Sequence, residues 1–144
     1  MPLKRHTNLA PLSRDHMKGL FLSRYAQKNA PPYKNFPVDT PSKTAIIIDG
    51  FVNELLPHFR REEDILLPFI KEFAPGLVEL ADEIFAEHKL LQELAEKMKS
   101  DPGSADLLDE FGRVLEGHIR KEERILFEKL QEEAGEEKMK GLEL

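Results

Sequence analysis

His118-Ile119-Arg120-Lys121-Glu122-Glu123-Arg124-Ile125-Leu126 repeats a stretch sixty residues earlier, His58-Phe59-Arg60-Arg61-Glu62-Glu63-Asp64-Ile65-Leu66, and six of the nine positions are identical. Phe51 and Leu55 recur as Phe111 and Leu115 at the same offset. Residues four apart on an α-helix share a face, so each copy aims an imidazole and a carboxylate the same way. Two such pairs facing each other would make a metal site.

The rest of the chain supplies the helices that bring the copies together. Ser13 reads as the N-cap of a first helix over 13–30, with Asp15 near the positive end of its dipole, and Pro31-Pro32 stops it. A proline-rich linker over 31–41 follows, pinned by Tyr33 and Phe36. Pro41-Ser42 opens a second helix over 42–70, whose apolar series Phe51, Leu55, Ile65 and Phe69 carries His58 and Glu62 on the same face. Pro57 is expected to bend this helix beside His58, and Pro68 to mark its fraying end.

Pro75-Gly76 turns the chain into a third helix over 76–100, with Leu77, Ala81, Ile84, His88, Leu91, Ala95 and Met98 at alternating steps of four and three. A fourth helix over 104–134 starts at Ser104 and puts Phe111, Leu115, His118, Glu122 and Ile125 on one face. The charged end from Glu132 to Leu144 is expected to fray. The expected fold is therefore all-α, an up-down-up-down antiparallel four-helix bundle forming a single domain over 1–144. In that topology the distances of His16, His58, His88 and His118 from their helix ends agree to about one turn at ~1.5 Å per residue. All four then meet in one layer.

A lone histidine on an apolar face is usually a satisfied core residue. Four at one height, two of them with a glutamate one turn along, point to ligation, because burying Glu62 and Glu122 without a cation costs roughly several kcal/mol each. Imidazole and carboxylate without sulfur suit iron, manganese or zinc. Six donors exceed what one tetrahedral zinc uses, and shared between two ions they give each two imidazoles and two carboxylates. The expected cofactor is a pair of iron ions, with manganese or zinc compatible with the same donors.

Composition excludes other classes. The chain has 144 residues, a net charge of -6 with intermixed signs and no cysteine, which leaves no thiolate site and no disulfide framework. Lys4, Arg5 and His6 are too few for a phosphate-binding face, so nucleic acid is not the expected partner. No apolar run suits a signal peptide or a membrane span, and a cytoplasmic location is expected. Asp15 and Glu87, each preceding a histidine, read as exposed charge in preference to groups that orient an imidazole. Arg60, Arg61, Arg120 and Lys121 read as solvated, His6 as exposed, and Tyr25 as too far from His16 to ligate.

A histidine in the first helix, His-x-x-x-Glu in the second, a histidine in the third and His-x-x-x-Glu in the fourth resemble the hemerythrin-like family, the HHE cation-binding domain, over about Leu9 to Leu130. The resemblance implies an oxo- or hydroxo-bridged di-iron centre held by His16, His58, Glu62, His88, His118 and Glu122, with both glutamates bridging. In the oxygen-carrying members such a centre binds O2, so the expected partner is a small diatomic ligand, O2, with NO or peroxide as alternatives where a protein ligand is missing. Oxygen-carrying members have a second histidine four residues before the third-helix ligand, where this chain has Ile84. They also place the last carboxylate one residue later, at Glu123, whereas Glu122 matches Glu62 and shares the face of His118. The function expected is storage, sensing or delivery of O2 or a related molecule. The alternatives are an enzyme acting on peroxide or nitric oxide or repairing iron centres, and an iron-responsive interaction module with an unidentified protein partner.

Overall fold

A computed structural model describes residues 5–144, so the N-terminal reading at Met1 to Lys4 falls outside the described residues. Four helices form a bundle without strands among the described residues. Helix α1 is Ala10–Ala26. Helix α2 spans 40–73, from Thr40–Gly50 through to Leu67–Phe73. Helix α3 is Val78–Ser100, and α4 spans 105–139. Lys28, just past the end of α1, donates its amide to Asp109 near the start of α4 at 2.8 Å, and Arg5, just before α1, reaches Gln131 late in α4 at 3.1 Å. These two helices are therefore antiparallel. Thr44 early in α2 likewise donates to the Pro102 carbonyl just after α3, at 3.0 Å.

Several boundaries differ from the sequence reading for identifiable reasons. Helix α1 starts before Ser13 because a 3-10 turn, Thr7–Leu9, runs directly into it, and Leu9 and Leu12 are both fully buried. Pro11 falls in the first turn, where a missing N–H leaves no bond unmade. The helix ends at Ala26 rather than at residue 30. Gln27 turns extended, with its side chain donating to the Ser23 carbonyl and to Glu116. His6 is not free in solvent: its Nδ1 accepts from the Asn8 amide, and its side chain is 12% exposed against Glu136.

The prolines of α2 are absorbed by widened turns. Phe51–Leu55 and Glu62–Leu66 are π-helical, so the Leu56 amide bonds back to Phe51 and the Leu67 amide to Glu62, immediately before the two residues that have no N–H, Pro57 and Pro68. Pro68 thus lies inside the helix, which continues to Phe73. The repeat copies the second π turn at Glu122–Leu126, with Phe127 bonding to Glu122. One widened turn delays the buried phase by about one residue. Leu66 and Leu126 are fully buried in consequence, whereas Ile65 and Ile125, read from the sequence as core, are exposed.

The C-terminal stretch does not fray. Gly135 takes φ 78°, a left-handed conformation that glycine adopts without penalty, and redirects the chain. Met139 and Leu142 are then buried in the core, and Asn8 donates to the Met139 and Lys140 carbonyls.

The core is two apolar clusters separated by a polar layer. One holds Leu22, Tyr25, Phe51, Leu55, Leu91, Phe111 and Leu115 among others, and the second holds Leu12, Leu66, Ile70, Ile84, Leu126 and Phe127. Each buried aliphatic or aromatic side chain contributes about 1.5–3 kcal/mol, so the clusters carry the fold and fix the layer between them. Tyr33 and Phe36 do pin the linker, their rings meeting Phe21 at 5.1 and 5.2 Å, and the Tyr25 hydroxyl donates to the Pro37 carbonyl at 2.6 Å.

Helices α1 and α4 approach closely at Gly112, where an added Cβ would lie 2.4 Å from the Ser23 carbonyl oxygen. Backbone cannot yield as a flexible side chain does. Gly112→Ala is expected to cost about 1–3 kcal/mol. Gly117→Ala, five residues on, meets nothing within 4 Å and should stabilise by about 0.5–1 kcal/mol through helix propensity. Urea unfolding of the two variants checks the opposite signs.

Candidate metal centre

The polar layer between the clusters consists of His16, His58, Glu62, His88, His118 and Glu122, all the residues singled out from the sequence. None is more than 4% exposed. Helix α1 carries His16 and α3 carries His88, while α2 and α4 each contribute a histidine and, one turn on, a glutamate whose own residue starts the π turn.

The six side chains form two overlapping groups. Ligand atoms of His16, His58, Glu62 and Glu122 all lie within 4.8 Å of one another, and so do those of Glu62, His88, His118 and Glu122. Both glutamates belong to both groups. Glu62 Oε1 is 3.4 Å from His58 Nε2 and 3.1 Å from His88 Nε2. Glu122 Oε2 is 3.2 Å from His16 Nε2, and its Oε1 lies against His118 Nε2. The structure thus puts Glu122, not Glu123, in the layer.

All four imidazoles turn Nε2 inward and Nδ1 outward towards a carboxylate. His16 Nδ1 donates to Glu123 at 2.7 Å, His58 Nδ1 to Asp15 at 3.1 Å and His118 Nδ1 to Glu87 at 3.0 Å, while Glu63 stands 3.5 Å from His88 Nδ1. A donating Nδ1–H leaves the Nε2 lone pair facing the centre, the tautomer that a metal requires. Asp15 and Glu87 are therefore not merely exposed charge. Arg61 and Lys121 are not free either: Arg61 pairs with Asp15, and Lys121 with Glu87 at 2.6 Å. Adjacent helix residues do point apart, but that rotation is what lets Asp15 and Glu87 reach the histidine of the next helix. The signal in the sequence was that each acid immediately precedes a histidine, as Asp15-His16 and Glu87-His88.

Rings shape the remaining surfaces. Phe59 stacks on His88 at 3.9 Å, Phe85 covers its other side at 5.2 Å, and Phe127 stacks on His16 at 5.7 Å. Neither tyrosine reaches the layer; both sit with Phe21 and Phe36 beside the linker. Ile84, one turn before His88, is buried in the second apolar cluster.

The layer's charges are held in tension. Burial pushes His118 down, yet the charge and hydrogen bonds of Glu122 and the bond to Glu87 prevail and raise it to about 10. Burial also opposes His16, which Glu122 and Glu123 raise to about 9. Burial lowers His58, and burial with the neighbouring His118 charge lowers His88 to about 3. Burial and the nearby Glu122 charge drive Glu62 well above the carboxylate range. Burial would do the same to Glu122, but the His118 cation holds it well below that range.

Donors are also left without hydrogen bonds. Glu62 Oε2 is buried without a hydrogen-bond partner, and the Glu122 oxygens and His118 Nε2, equally buried, have only charged groups of the layer itself within reach. Buried polar atoms left unpaired cost about 1–3 kcal/mol each, more when charged. These atoms are the inward-facing ones, so the donor set and its unmet bonding capacity fit cations placed between the helices.

The hemerythrin HHE cation-binding domain model matches residues 14–138. The chain belongs to this family. It is accordingly a helical metal-binding protein of the hemerythrin type, and the buried His/Glu layer is consistent with its metal site. No curated protein and no solved structure gives a significant match to this hemerythrin-like chain. No helix among the described residues is long and apolar enough to cross a membrane.

Proposed function

We propose that this hemerythrin-like domain holds two iron ions through His16, His58, His88 and His118, with Glu62 and Glu122 shared between them, and takes up O2 or a related small molecule. The observation that carries the reading is the pair of fully buried glutamates, each facing imidazoles of both groups, with Glu62 Oε2 left without a hydrogen-bond partner. Four imidazoles and two carboxylates are borderline and hard donors, which suits iron better than copper(I) or calcium. When bound, ferrous iron supplies the electrons and open coordination positions that diatomic ligands need. The chain supplies orientation and dryness: outward carboxylates fix the imidazoles, and the aliphatic side chains of Leu12, Leu66, Ile84 and Leu126 exclude water on the layer's second-cluster side.

Three of the four outward carboxylates are tied to cations, which leaves them poorly placed to shuttle protons and favours binding over turnover. Anaerobic reconstitution with ferrous iron, metal analysis and optical spectroscopy before and after oxygen test the reading. Two irons per chain with a reversible oxygen-dependent band are expected. Binding of less than about one iron per chain would remove the proposal, and steady peroxide consumption would replace carriage with catalysis.

Loading should also release protons. At neutral pH the metal-free centre holds protons on His16 and His118, whose values of about 9 and 10 lie above the ordinary 6.5, while burial and the Glu122 charge push Glu62 towards its protonated form. Ligation requires these protons to leave, so affinity should rise with pH and proton release should diminish as pH passes 9 to 10. In the metal-free protein the signs divide. Raised His16 and His118 stabilise the fold below pH 6.5, an advantage lost as pH rises through 9 to 10. His88, depressed to about 3, costs stability as pH falls from 6.5 towards 3. Calorimetric titration with metal in buffers of different protonation enthalpy measures the release directly.

A further inference from the structure

Behind each of the four imidazoles stands a carboxylate, and behind three of those carboxylates stands a cation. Arg61 is paired with Asp15, which accepts from His58; Lys121 is paired with Glu87, which accepts from His118. In both sets the histidine and the cation belong to the sixty-residue repeat, and the acid precedes the histidine of the neighbouring helix. The third differs in origin: Arg5, from the segment before α1, pairs with Glu123 at 3.0 Å and also donates to the Glu123 carbonyl, while Glu123 accepts from His16. Arg5 further covers Phe127, the ring stacked on His16.

The fourth position breaks the pattern. Glu63 is the repeat partner of Glu123, yet it is 3.5 Å from His88 Nδ1, its side chain is 45% exposed, and no cation pairs with it among the described residues. The sequence explains the difference. His88 lies 72 residues after His16, and the same step from Arg5 lands on Leu77, inside the tight Pro75–Leu77 turn and buried in the core. A cation cannot occupy that place. His88 is held by the faces of Phe59 and Phe85 instead, which fix the plane of the ring but offer its Nδ1 no acceptor.

We propose that Arg5, Arg61 and Lys121 are positioning residues of the metal centre, each fixing a carboxylate that fixes one imidazole, and that the unanchored His88 makes the His88/His118 position the one that exchanges its metal first. This rests on the proposed ligand set. The two metal positions are then unequal despite identical donors: His16 and His58 are both locked from behind, whereas only His118 is locked in the other pair. Partly exposed ion pairs of this kind contribute little to folding, about 0–1 kcal/mol. Outer partners of metal ligands nevertheless change metal affinity by about 10–100-fold. Stability and metal retention should therefore separate.

Cobalt(II) is the probe, because its visible spectrum reports ligand geometry while a chelator draws it out of the full-length protein. The wild type is expected to lose cobalt in two phases of equal amplitude. Arg61→Met and Arg5→Met should accelerate the slow phase about 10-fold or more and alter the spectrum of the retained ion, and Arg61→Lys should restore it. Lys121→Met should accelerate the fast phase alone. Arg120→Met, on a residue paired with Glu116, is the control expected to change neither. Metal-free melting temperatures should stay close to wild type throughout. Biphasic wild-type release with unchanged kinetics in all three anchor variants would overturn the anchoring while leaving the ligand set intact. A single release phase would overturn the inequality, and failure of the wild type to bind cobalt or iron would remove the ligand set itself.

Discussion

Glu62→Ala is expected to take iron binding from two ions per chain to no more than one, and to lower the melting temperature of the iron-treated protein by about 10 °C or more. Glu62 lies between His58 and His88, fully buried, so no neighbouring carboxylate can replace it without moving a helix. The effect on the metal-free protein should be much smaller. There the residue is a buried carboxyl with one oxygen unpaired, and removing such a group offsets much of the cavity left behind. A ligand present at about a thousand times its Kd stabilises the fold by about 4 kcal/mol. At roughly 2–8 °C per kcal/mol for domains near this size, that loss spans about 8–30 °C. Calorimetry with and without iron makes the comparison. Equal losses in both conditions would mean that Glu62 is a packing residue, and two retained irons would remove it from the ligand set.

The bundle and the six-residue layer were legible because they depend on periodicity within single helices. His58 and Glu62 share a helix face with Phe51 and Leu55, and a buried imidazole and carboxylate at that spacing reveal themselves by being polar in an apolar stripe. The outward carboxylates depend on rotation between neighbouring helices. Asp15 looks solvent-facing on α1 alone and becomes a partner of His58 only once α2 is placed beside it. The π turns were hidden for a related reason: Pro68 announced a helix end, and the same widened turn recurs at Glu122–Leu126 without any proline. Its trace was in the apolar pairs Ile65-Leu66 and Ile125-Leu126, where only the second residue of each is buried. The C-terminal packing of Met139 and Leu142 was masked by the charged residues around them.

Ile84→His is expected to cost stability without metal and to regain much of it once metal is bound. Ile84 precedes His88 by one turn on the same face of α3, and Leu12 stands in the same relation to His16, so an aliphatic residue occupies the fifth-donor place beside both imidazole pairs. Without metal, an imidazole in this apolar cluster forfeits packing and gains no partner, at a cost of about 2–4 kcal/mol, or roughly 10 °C. With ferrous iron the same imidazole is one turn from His88 and can ligate, recovering much of that loss. It would also fill a position otherwise open to an exogenous ligand, so affinity for azide or nitric oxide should fall about 10-fold or more even as the melting temperature recovers. Thermal melts with and without iron, combined with azide titration of the loaded protein, separate the two effects. If iron raised the melting temperature of the variant no more than that of the wild type, and azide affinity were unchanged, Ile84 would be a core residue with no bearing on the centre. If the predicted recovery is seen, one aliphatic side chain on α3 accounts for how open this centre is compared with the oxygen carriers of its family.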